Sequence, residues 1–149
     1  MVNFNAQALS PYEQFNPLKS QKLPFSSAYI NTSHGEYYFQ VELADNEEKR
    51  TIGLMHRLKL QPYEGMLFDF KRKRLVTMWM RNTFIPLDMI FLSDKGVVLN
   101  IAKQTEPHSE ELISSKFLVR AVLEVNSGII DQIGLKLGDK IVHKIFNNN

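Results

Sequence analysis

Two acidic residues sit inside otherwise apolar runs: Asp88 within Leu87-Asp88-Met89-Ile90-Phe91-Leu92, and Glu124 within Val122-Leu123-Glu124-Val125. Runs of this kind are buried, and a buried carboxylate is costly unless it is hydrogen-bonded, paired or protonated. Two carboxyl groups roughly 5–10 Å apart can divide acid and base roles, as glycoside hydrolysis requires, so Asp88 and Glu124 are candidates for a carboxylate-dependent hydrolase. The plainer reading is structural. It gives Asp88 backbone N–H partners, or Arg57 or Arg81, in tying down the Asn82–Pro86 connection, and it pairs Glu124 with Arg50 or Arg57.

Just upstream of Asp88, Trp79 supplies a flat apolar surface and Asn82 and Thr83 supply donors and acceptors. With Arg57 and Asp88, these residues would line a small pocket for a sugar-like or otherwise polar ligand. Met78 and Met80 flank Trp79 at a spacing of two, which puts two soft thioethers on one face of a strand, a pattern suited to Cu(I). Methionine is also a common filler of apolar cores. His34, His56, His108 and His143 are scattered with no i,i+4 pair, the chain has no cysteine, and the serines and glycines form neither a GxSxG elbow nor a phosphate-binding loop. No cofactor is expected.

The elements that must hold these residues read as short strands. Tyr37 to Leu43 alternates apolar and polar residues with the period of a half-buried strand. Asp45 followed by Glu48 resembles a capping box, which predicts a helix of about two turns ending at Gly53. Met66 to Phe70 and Leu75 to Met80 alternate again about the basic run 71–74, and predict a hairpin with a charged tip. Further strands are expected over Leu87–Leu92, Val97–Ala102, Phe117–Val125 and Lys140–Phe146, with a loop from Gln104 to Lys116 and a short helix capped by Ser127 and stopped by Gly134. Six or seven short strands with two short helices favour an α+β or closed-sheet domain over βαβ units.

Four segments, in order, carry a family resemblance: Arg50-Thr51-Ile52-Gly53-Leu54-Met55-His56-Arg57, Glu64-Gly65-Met66-Leu67-Phe68, Trp79 to Phe91, and Val122 to Gly128 followed by Gly138-Asp139. Together they resemble the domain-of-unknown-function 192 family over roughly residues 37 to 146. The resemblance implies a compact α+β domain with a mainly antiparallel, curved, barrel-like sheet, and a tendency to export into the periplasm or beyond. It implies no reaction.

The bulk properties set the remaining bounds. At 149 residues the chain is of single-domain size, expected as an extended tether over 1–27 and one domain over 28–149. The tether, rich in Pro, Asn, Gln and Ser, would suit the mature end of an exported protein. A net charge of +2 argues against a nucleic-acid partner, and no apolar run is long enough to span a bilayer. The resulting expectation is a monomeric cell-envelope module that binds a polar small molecule or a protein near Trp79–Asp88, with the hydrolase and Cu(I) readings as alternatives.

Overall fold

The computed structural model describes residues 15–149. Among these residues, nine strands are interrupted by two short helices: β1 Phe25–Thr32, β2 Gly35–Ala44, α1 Glu47–Ile52, β3 Glu64–Arg74, β4 Thr77–Met78, β5 Leu87–Leu92, β6 Val98–Thr105, β7 Ile113–Ser114, β8 Val119–Asn126, α2 Ile129–Ile133 and β9 Lys140–Val142. Seven strands form one sheet in the order β6-β5-β8-β3-β2-β1-β9, and β4 pairs with β7 in a small second sheet. Among the described residues only β2 and β3 run parallel, and α1 lies in the connection between them. The two edges of the large sheet are stitched together by a bridge between Val97 and Lys140 and by hydrogen bonds from Val98 N–H to the Asp139 carbonyl and from Ile141 N–H to the Gly96 carbonyl. The α+β class and the curved, barrel-like sheet expected from the sequence are therefore borne out.

Both faces of the sheet are covered, which is why β5 is buried along its whole length and reads as an apolar run interrupted only by Asp88. One face carries Ile30, Phe39, Val41, Leu67, Ile90, Leu92, Leu123 and Val125, closed by Ile129, Ile130 and Ile133 of α2. The other carries Met66, Phe68, Leu87, Met89, Phe91 and Val122, closed by Leu54, Met80 and Ile85. Gly65 lets β3 press against β8 next to Glu124, because a β-carbon there would lie 2.6 Å from the Glu124 carbonyl oxygen.

Several local expectations are corrected. The run 71–74 is not a hairpin tip. Strand β3 continues through it to Arg74 with a register shift after Asp69, and β4 pairs with β7 rather than with β3. The irregularity is held by Asp69, which accepts from Lys71 N–H and receives the Arg120 guanidinium at 2.7 and 3.1 Å. Burial alone would raise this carboxyl, but Arg120, the Lys71 N–H and the two nearby cations outweigh it and hold it below the usual carboxylate range. Helix α1 is capped by Asn46 rather than Asp45, its side chain accepting from Lys49 N–H. The predicted loop 104–116 contains β7, and the closing segment is a three-residue strand followed by a 3-10 turn at Lys144–Phe146.

Of the expected tether, residues 1–14 lie outside the described residues. Residues 15–24 run along the domain: Gln21 donates to the carbonyls of Lys49 and Gly53, and Leu23 N–H donates to Glu42. No helix among the described residues is long and apolar enough to cross a membrane.

Candidate functional site

Register decides the relation between the two carboxylates. Strands β5 and β8 pair with Asp88 opposite Val125 and Met89 opposite Glu124. Directly opposed residues share a face and successive residues alternate, so Asp88 and Glu124 project from opposite sides of the sheet. They share no cleft. The two-carboxylate hydrolase expected from sequence is thereby corrected, since neither residue can act on a substrate bound by the other.

Asp88 is 1% exposed and saturated by backbone. One carboxylate oxygen accepts from Gln104 N–H at 2.9 Å, and the other accepts from Gly128 N–H and Ile130 N–H, each at 3.0 Å. Helix α2 begins at Gly128 with no cap from its own chain neighbours, so Asp88, rather than Ser127, satisfies its first N–H groups.

Glu124 has the opposite circumstances. It is 4% exposed, yet makes no side-chain hydrogen bond or ion pair among the described residues. No sealed side-chain nitrogen or oxygen among those residues lacks a hydrogen bond, so the Glu124 carboxyl must keep contact with accessible space. That space is a cavity of about 420 Å³ between α1, β3 and the β4 segment. With nothing to offset desolvation, burial pushes the carboxyl up to about 8. Glu124 is thus protonated at neutral pH, and can donate a hydrogen bond or a proton to a molecule in the cavity.

The remaining walls combine apolar and cationic groups. Ile52, Leu54, Met55, Phe68, Phe70, Met78 and Trp79 line the cavity beside Thr51, Thr77 and Thr83. Arg50 and Arg74 lie over the same Phe70 ring, 5.3 and 4.8 Å from its centre, and Arg81 lies 5.3 Å from that of Trp79.

Comparison with known proteins identifies the group to which this arrangement belongs. The sequence profile of the DUF192 family, described as "Uncharacterized ACR", matches residues 29–143. The chain belongs to the DUF192 family. A solved structure from Sinorhizobium meliloti 1021, named as that of a candidate transcription regulator, is 38% identical with a TM-score of 0.77, over 82% of this chain and 97% of that one. A protein of unknown function from Novosphingobium aromaticivorans DSM 12444 is 36% identical with a TM-score of 0.79, over 81% of this chain and 86% of that one. No curated protein matches the sequence.

The segments that carry the DUF192 resemblance converge on the cavity: Arg50 to Met55, Phe68, Trp79, Arg81, Thr83 and Glu124 all contribute to its walls. Trp79 and Thr83 therefore stand where a lining role requires, while Asp88 does not. Asn82 instead faces a separate depression with His56 and Leu18. Arg57 is committed elsewhere: it grips buried Glu42 with N–O distances of 2.6 and 2.7 Å and also donates to the Gln21 carbonyl, which corrects its expected pairing with Asp88 or Glu124.

Met78 lines the cavity, but Met80 is buried and its sulfur accepts a hydrogen bond from Thr105 Oγ1 at 3.2 Å. The two thioethers accordingly do not meet in one open site, and no group of three or more His, Asp or Glu positioned for a metal occurs among the described residues. Sequence reasoning did not single out Arg74 or Phe70 for this site. The available signal was the two-residue alternation Phe68–Phe70 continuing into Arg74, which the hairpin reading hid.

Proposed function

We propose that this DUF192 protein binds a small polar molecule in the Glu124 cavity, with Trp79 as a flat wall, and that it does so in the cell envelope. The observation that carries the reading is the carboxyl of Glu124, unpartnered among the described residues, which reaches the cavity from a residue only 4% exposed. A lone buried acid lowers stability and contributes nothing to packing that leucine would not, so it is the kind of local cost that functional sites retain. The cavity volume falls within the range of small-molecule sites.

Trp79 is the only tryptophan in the chain, so its emission reports on the cavity directly. A thermal-shift screen against small metabolites is expected to give ligands that raise the unfolding midpoint by mass action and also change Trp79 emission. Both responses should be lost in Glu124→Leu, which remains folded because it fills the same apolar surroundings. Ligands whose effects persist undiminished in Glu124→Leu would place binding elsewhere and sink the proposal.

The envelope location rests on the family resemblance. Fractionation of cells expressing the tagged native gene should recover the protein outside the cytoplasm, and a purely cytoplasmic pool would remove that part of the reading.

A further inference from the structure

Three guanidinium groups line the cavity, from Arg50, Arg74 and Arg81, against two carboxyl groups, Glu47 on α1 and Glu124. Elsewhere the protein pairs half-buried arginines closely with buried carboxylates: Arg57 with Glu42, and Arg120 with Asp69. Arg50 and Arg74 break this habit. Neither lies within ion-pair distance of a carboxylate among the described residues. Arg50 is fixed by donating to the Asp69 carbonyl and by Phe70, and Arg74 packs on Phe70 too, so that two guanidinium groups share one ring. Arg81, over Trp79, meets only exposed Glu110 at 3.5 Å.

Holding two like charges against one aromatic ring is unfavourable unless an anion offsets them, and planar guanidinium forks suit the oxygens of carboxylate and phosphate. Because the arginines are already anchored, little side-chain freedom is lost when such a group arrives. Glu124, which lines the cavity from β8, adds a second requirement. An uncharged carboxyl there asks for a neutral hydrogen-bonding group, and none of the three arginines pairs with it.

We infer that the ligand of this cavity is a small anion, bearing a carboxylate or a phosphate for Arg50 and Arg74 and a hydroxyl or amide group for Glu124. The inference rests on the proposal that the cavity is a binding site, and refines it to a class of ligand.

The test uses four small probes at constant ionic strength: lactate, glycerol 3-phosphate, glycerol and ethanolamine. Binding is followed by NMR through the Trp79 indole N–H and the Nε–H signals of Arg50 and Arg74. Lactate or glycerol 3-phosphate should give saturable shifts at all three groups, with affinity about tenfold or more above that of glycerol, and the preferred one identifies carboxylate or phosphate as the anion. Arg74→Gln should lower that affinity about tenfold while leaving the fold, judged by the remaining amide spectrum, unchanged. If glycerol or ethanolamine binds best, the cavity reading stands and the anion is refuted. If no probe moves the Trp79 indole signal saturably, both fall.

Discussion

Glu124→Gln is expected to make the protein more stable near neutral and mildly alkaline pH, and to leave stability unchanged near pH 4. The folded chain keeps Glu124 protonated up to about pH 8, whereas the same group in the unfolded chain ionises near its ordinary value of 4.5. Below 4.5 both states hold the proton and the residue carries no ionisation penalty. As pH rises from 4.5 towards 8, the unfolded chain sheds a proton that the folded chain retains, so wild-type stability falls over this window; above about 8 the loss is complete.

Glutamine has nearly the same shape and never ionises, so the variant escapes a penalty on the order of 4 kcal/mol near pH 8, seen as a rise in the unfolding midpoint of roughly 8–16 °C. His143 also titrates in this region. Burial first, and Lys144 second, lower it to about 4, which weakens the fold as pH falls below the ordinary histidine value of 6.5. That contribution is common to both proteins and cancels in their difference. Calorimetry of the two proteins across this pH range measures the effect. A variant that is less stable than wild type at both ends would mean that Glu124 is ionised and paired, contrary to the geometry.

Asp88→Asn should act in the opposite direction and at a distance from the cavity. Three backbone N–H groups converge on the two carboxylate oxygens, and an amide replaces one oxygen with a donor. Whichever way the amide turns, at least one N–H group loses its acceptor and faces another donor, in a site that is 1% exposed. Loss of charge-assisted bonds and an unsatisfied buried donor together cost about 3–4 kcal/mol, a fall in midpoint of roughly 10 °C. Hydrogen exchange should accelerate first at Gly128, Ile130 and Gln104. At temperatures where the variant is folded, ligand-induced changes in Trp79 emission should survive. An undiminished midpoint combined with lost binding would instead make Asp88 part of the ligand site.

Together these variants separate two buried carboxyl groups that look alike in the sequence. One stabilises a helix start and the other destabilises the fold at a cavity. The distinction follows from partners: among the described residues Asp88 has three N–H donors, and Glu124 has none. Arg57 could have been a partner for either, but Glu42, one of the polar positions in the alternating run 37–43, takes both of its terminal nitrogens. Glu42 at 1% exposure is itself an exception to the alternation that located β2, because the strand is covered on both faces there.

The sequence by itself determined the strand-rich α+β class, the positions of β2, β5, β6 and β8, the helix ending at Gly53, the DUF192 resemblance, and the burial of Asp88 and Glu124. These depend on local periodicity, on helix-stop residues and on apolar neighbours, all written within a few residues of each position. Only the tertiary structure decided that β4 pairs with β7, that β3 runs on through its basic segment, and that α1 and Phe70 bring Arg50 and Arg74 to the cavity holding Glu124. Strand partners and register are set by packing across the sheet. A one-residue change in the β5–β8 register would have put Asp88 and Glu124 on the same face, and nothing local to either strand distinguishes that alternative from the pairing that forms.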